Sequence, residues 1–169
     1  RCVIAAIDRM LEDSGLTNVK HQLVTDWEGY VNTTRDFGSK MGADDWLVID
    51  FISTAWDAVQ SWYVDQVHGK DLDAYFLEQR KKKAKGNPLE GDTDWGIINK
   101  AYKAYMNILL ANTPGHIFAT AQAKAIGDRD DPMVKQAYAG VGQRAEGQKA
   151  LAHSFHTVLY LSKTRVGEY

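Results

Sequence analysis

Apolar and polar residues fall along this chain in blocks whose lengths separate strands from helices. Trp46-Leu47-Val48-Ile49 is a continuous apolar run that ends on Asp50. A short run of this kind predicts a strand buried on both faces, over residues 46–52, with the acid at its carboxyl end. His116-Ile117-Phe118-Ala119-Thr120-Ala121-Gln122 repeats the pattern over residues 116–122 and closes on a neutral amide. Two adjacent buried strands are therefore expected, one ending in Asp50 and the other in Gln122. Helical spacing dominates between them. Trp56, Val59, Trp62, Tyr63 and Val67 form one stripe, which predicts a helix capped at Ser53 or Thr54 and stopped by Gly69. Ile98, Ala101, Tyr102, Tyr105, Ile108 and Leu109 form a second stripe, over residues 95–112, capped at Thr93 or Asp94 and broken by Pro114-Gly115.

The flanking segments are less regular. Residues 2–7 fit a strand ending at Asp8 and equally one face of a helix through Val3, Ile4, Ile7 and Leu11. A short strand is expected over residues 18–25. A helix follows from Asp26, with Glu28 in its first turn and Gly38 or Gly42 as its stop. Residues 70–94 break the rhythm with Arg80-Lys81-Lys82-Lys83-Ala84-Lys85 and then Gly86, Asn87, Pro88 and Gly91. They read as a mobile basic insertion with a helical stem over residues 72–80. Residues 123–148 read as a long polar loop, residues 157–162 as an alternating strand and residues 164–167 as a turn. This order predicts an α/β fold, a doubly wound and mostly parallel sheet with flanking helices, as a single domain over residues 1–169.

Composition acts mainly by exclusion. The 169 residues suffice for one domain with a substantial core, and 44% hydrophobic with 25% charged residues is ordinary for a globular chain. A net charge of −2 argues against a protein that coats nucleic acid by bulk charge, while leaving room for a local basic patch. Cys2 is the single cysteine, so neither an internal disulfide nor a multi-cysteine zinc site can form. That fits a reducing, cytoplasmic setting. No apolar run approaches the ~20 residues needed to cross a bilayer. Arg1 rather than Met opens the sequence, and the chain reads as a cytosolic fragment of something longer.

Candidate chemistry then concentrates at three places. An acid at the carboxyl end of a buried strand can hold the water shell of a magnesium ion beside phosphates, which makes Asp50 the first candidate. The plainer alternative is a cap for the helix that starts near Ser53. The cations Arg80, Lys81, Lys82, Lys83 and Lys85 ordinarily form a solvated face. Their company of Tyr75, Phe76 and Trp95 suits a single-stranded DNA path, which combines phosphate-neutralising cations with aromatic stacking. Arg129, Lys135 and Arg144 add cations from the second loop, diluted by Asp128, Asp130 and Asp131. The five histidines show no metal-ligand spacing and read as structural.

Residues 146–168, Glu-Gly-Gln-Lys-Ala-Leu-Ala-His-Ser-Phe-His-Thr-Val-Leu-Tyr-Leu-Ser-Lys-Thr-Arg-Val-Gly-Glu, resemble the stretch after the second DNA-binding loop of RecA/RadA-type recombinases. The upstream order over residues 46–145 is similar to that family too, and to the single-domain RecA-like annealing proteins of bacteriophages. The resemblance implies an ATP- and magnesium-dependent module acting on single-stranded DNA in recombination, annealing or repair, a DNA-dependent ATPase when intact, and a homo-oligomer. It implies that Asp50 orients magnesium and that Gln122 senses the γ-phosphate. The segments at about 70–94 and 123–148 would take the places of the two DNA loops. Lys163 and Arg165 become candidates for contacts to a neighbour's phosphates. Two departures stand out. No Gly-x-x-x-x-Gly-Lys-Ser/Thr loop occurs, and Met10 stands where the water-activating glutamate is expected. The alternatives are a non-hydrolysing assembly or DNA-binding subunit, or another motor such as a helicase or packaging ATPase. Phe51 after Asp50 counts against packaging, where a glutamate is expected.

Overall fold

The computed structural model describes residues 14–15, 17–85, 92–128, 130–149 and 151–161. Its backbone groups into two compact units. One comprises residues up to 48 together with 58–118, and the other residues 49–57 together with 119 onward.

The first unit is helical. Helix α1 (Trp27–Lys40) starts where the sequence places it, because the Asp26 carboxylate accepts the Gly29 N–H at 2.7 Å and satisfies one of the free first-turn donors. Strand β1 (Trp46–Ile49) follows, then helices α2 (Ser53–His68), α3 (Leu72–Ala84) and α4 (Asp92–Ala111). Gly69 ends α2 with φ +58, a left-handed conformation that glycine adopts without steric cost. Helix α4 carries the predicted stripe into the core: Ile98, Tyr102, Tyr105, Met106 and Leu109 are buried. Helix α1 packs on it, with Trp27 set edge-on to Tyr105 at 5.3 Å and Thr34 Oγ1 at 3.5 Å from the Tyr105 hydroxyl. Val59, Tyr63 and Val64 of α2 and Tyr75 of α3 complete this core.

Strand β2 (His116–Ala119) lies beside β1 as a two-stranded sheet. The His116 N–H donates to the Asp45 carbonyl at 2.8 Å and the Thr120 N–H to the Ile49 carbonyl at 3.0 Å, the constant offset of a parallel pair. In the second unit, β3 (Ala123–Ala125) and β4 (Gln143–Ala145) pair antiparallel, with Lys124 opposite Arg144. Between them sits a short helix, α5 (Pro132–Ala137), capped by Asp131 and opened by Pro132. A 3-10 turn (Leu151–Ser154) follows and buries Leu151.

The expected doubly wound, mostly parallel sheet is overturned. Among the described residues the strands form only two sheets of two strands each, one parallel and one antiparallel, and helices make up most of the regular structure. The reason lies in the segments meant to extend the sheet. Residues 19–25 carry no strand and leave Val19 and Leu23 exposed. Residues 157–161 carry none either, with Leu159 77% and Leu161 99% exposed. Period-2 alternation over so few residues needs a flanking ladder to become a strand, and among the described residues none reaches these segments. The two apolar runs are strands, but each stops after four residues, and neither is buried on both faces, since Trp46, Val48 and Phe118 are exposed. Residues 2–7, Met10 and residues 164–167 lie outside the described residues.

Candidate functional site

At the carboxyl ends of β1 and β2 the backbone brings Asp50, Ser53, Thr120 and Gln122 together. The parallel register puts Thr120 beside the acid, and its hydroxyl donates to the Asp50 carboxylate. The Ile52 N–H donates to the Thr120 carbonyl at 2.9 Å, which continues the pairing past the last strand residue. Ser53 is buried at the start of α2, and its Oγ accepts the Gln122 N–H at 3.0 Å. Asp50 and Gln122 are thus held on one polar rim by two hydroxyls that the sequence reading treated as caps or strand filler. Their side chains stay exposed. Nearby in the same unit, partial burial and the Glu146 carboxylate raise the Asp57 pKa, against the opposing pull of Lys124. Lys124 and Glu146 pair at 3.6 Å across the β3–β4 hairpin.

The residues present fit magnesium held through water rather than in a protein cage. Magnesium keeps several waters and takes one or two carboxylates. Asp50 supplies one exposed carboxylate flanked by the Thr120 hydroxyl. Among the described residues no group of three His, Cys, Asp or Glu side chains is placed to hold a metal directly.

The basic segment is a helix. Arg80, Lys81, Lys83 and Lys85 are exposed along the last turn of α3 and the residue after it. Lys82 is half-buried and pairs with Glu78 at 3.4 Å, while Lys70 pairs with the other oxygen of the same carboxylate. Hydrogen bonding to Lys70, followed by its charge, holds the Glu78 carboxyl below its usual range. Cations at a helix carboxyl end also complement the helix dipole, so the run has a structural use as well. Of the aromatic companions, Phe76 and Trp95 are exposed, whereas Tyr75 is buried.

The expected long loop over residues 123–148 is instead the β3–α5–β4 segment, and the second group of cations, Lys135 on α5 and Arg144 on β4, is engaged within it. Arg144 pairs with Asp130 at 3.2 Å, both side chains 13% exposed, and Lys135 donates to the Asp128 carbonyl at 2.7 Å. The Asp130 carboxyl is held below its usual range, first by the Gly127 N–H and then by Arg144. Arg129, Lys163 and Arg165 lie outside the described residues.

One cluster had no local signal in the sequence. Asp94, in the first turn of α4, accepts the Tyr63 hydroxyl at 2.7 Å and the Tyr75 hydroxyl at 2.9 Å, one on each oxygen. His68 stacks on Tyr75 with ring centres 4.6 Å apart, its Nε2 3.9 Å from Asp94. The hydrogen bond to Asp94, together with burial, raises the Tyr63 pKa. Three helices supply these residues, so no spacing in the sequence could announce them.

No helix among the described residues is long and apolar enough to cross a membrane. The chain matches no family model, no curated protein and no solved structure.

Proposed function

We propose that this chain is a nucleotide-responsive module that acts on single-stranded DNA in recombination, annealing or repair. The observation that carries the reading is the convergence of Asp50 and Gln122 on Thr120 and Ser53 at the carboxyl ends of two adjacent parallel strands. Asp50 would hold magnesium through water, and Thr120 would orient the carboxylate that does so. A bound magnesium would offset phosphate charge. Gln122 is tied through its own backbone N–H to the start of α2 and through its carbonyl to Glu146 at 2.7 Å. A change at its side chain therefore has a covalent and hydrogen-bonded route into the β3–β4 hairpin. The exposed cations of α3, with Phe76 and Trp95, supply the chemistry that recognises a single strand without reading its sequence.

The test is fluorescence anisotropy of a labelled single-stranded oligonucleotide, with and without Mg-ATP, for the native chain and for Asp50→Asn. Salt-sensitive binding is expected, with an affinity that Mg-ATP changes in the native chain and leaves unchanged in Asp50→Asn. Binding that ignores Mg-ATP in both proteins removes the nucleotide role, and no binding in either removes the DNA role.

A further inference from the structure

Parallel sheets are ordinarily covered on both faces. Side chains alternate along β1 and β2, which puts Leu47 and Ile117 on one face of the pair and Trp46, Val48, His116 and Phe118 on the other. The first face is packed, with Leu47 buried and Ile117 half-buried. On the second, Trp46, Val48 and Phe118 are 63%, 60% and 49% exposed, and the Trp46 ring lies 4.8 Å from that of His116. A contiguous group of large exposed side chains marks an interaction surface. Its flank is acidic. Asp44 and Asp45 are exposed in the turn that leads into β1, and two residues of chain put Asp44 no more than about 7 Å from Trp46.

Helix α3 carries the complementary pattern. Tyr75 and Gln79 are buried on its inner side, whereas Phe76 and Leu77 are exposed. Arg80 and Lys81 follow one turn later on the same outer side, about 6 Å along the axis. Among the described residues neither cation enters an ion pair, and neither does Asp44. An apolar pair beside two cations thus faces outward on a helix, and an apolar patch beside two carboxylates faces outward on a sheet, at matching spacing. A helix laid on the face is also how parallel sheets are usually covered.

We infer that the outer face of the β1–β2 pair takes the outer face of α3 from a second copy of this chain. Phe76 and Leu77 would lie on Trp46, Val48 and Phe118, with Arg80 and Lys81 against Asp44 and Asp45. The contact joins two different surfaces, so copies add head to tail. The inference goes beyond the DNA reading and does not rest on it. Arg80 and Lys81 cannot meet a carboxylate and a phosphate at once, so on any one copy the two uses exclude each other.

The experiment is sedimentation velocity of the full chain from low to high micromolar concentration, without nucleic acid, with circular dichroism as the folding control. The native chain is expected to sediment faster as its concentration rises, and less so at high salt, which screens the charge pairs. Val48→Asp sets a carboxylate among the rings of the sheet face, and Arg80→Glu with Lys81→Glu reverses the charge of the helix face. Each of these proteins alone is expected to stay monomeric. Mixed in equal amounts, they are expected to form a dimer and nothing larger. The native α3 of the first meets the native sheet of the second, while the two altered faces repel. Phe118→Ser is a second sheet-face variant, expected to behave as Val48→Asp does if that substitution unfolds the strand. A native chain that stays monomeric throughout overturns the inference. Association that survives the charge reversal on α3 points to paired sheet faces and overturns it as well, and so does a mixture that forms no dimer.

Discussion

Replacing Arg80, Lys81, Lys83 and Lys85 together by alanine removes four exposed cations from the carboxyl end of α3 and leaves the half-buried Lys82 in place. Each phosphate neutralised on a single strand contributes about −0.7 to the slope of log affinity against log salt. Four cations meeting one phosphate each give a slope contribution of about −2.8, or roughly a 50-fold fall in affinity between about 50 and 200 mM salt. The quadruple variant should lose that steepness, and Lys82→Ala should change it little because Glu78 already engages Lys82 at 3.4 Å. Glu78→Gln should act in the opposite direction by releasing Lys70 and Lys82. The assay is anisotropy of a labelled oligonucleotide at five or so salt concentrations, with circular dichroism as the control for folding. That control is mild, since each cation contributes only about 0.3–1 kcal/mol to its helix end. A quadruple variant whose slope stays within about 0.5 of the native value would refute the placement of the DNA path on α3. So would a Lys82→Ala variant as damaging as Lys83→Ala.

Two further outcomes concern the fold that supports these groups. Gly115→Ala should destabilise by about 1–3 kcal/mol in denaturant titration, because a β-carbon there would run into the Asp45 carbonyl and lie 2.8 Å from the Gly42 carbonyl; an unchanged midpoint would show that the turn before β2 yields easily. Burial pushes the Tyr105 pKa up to about 12, so the folded chain keeps a proton that the unfolded chain loses near pH 10. Stability should hold below about pH 10 and fall from there through pH 12, with Tyr105 contributing a loss of about 2 kcal/mol by pH 11.5. Burial raises the Tyr102 pKa as well, so Tyr105→Phe should lessen that alkaline decline and leave the share of Tyr102, and an equally steep decline in the variant would assign all of it to other groups.

Helices were legible in the sequence wherever a cap and a stripe agreed. Asp26 fixed the start of α1, and the Ile98–Leu109 stripe fixed the buried face of α4. The two apolar runs were legible as strands and as neighbours, but not as strands buried on both faces, and β2 ends at Ala119 rather than at Gln122. What failed was the step from strands to sheet. A run such as residues 157–161 carries the same alternation whether or not a ladder is there to receive it, so pattern alone overcounts strands. Basic residues misled in the other direction. Residues 81–84 were read as part of a mobile insertion and instead extend α3, where the helix dipole favours cations at the carboxyl end. Arg144 was read as a DNA contact and is held by Asp130, 14 positions away, across a loop whose closure depends on tertiary structure.

Two carboxylates, Asp50 and Asp94, illustrate why composition cannot assign a role. A carboxylate offers about four lone-pair positions. Asp50 spends one on Thr120 and remains exposed, so most of its capacity faces solvent and is open to a hydrated cation. Asp94 is largely enclosed and has a buried phenol on each oxygen, with His68 filling the space beside it. An acid that holds a ligand must leave acceptor capacity unused by the protein, whereas an acid that holds helices together must spend it there. By that criterion Asp50 is the binding group and Asp94 the fastening one, although the sequence presents both as acids next to the first turn of a helix.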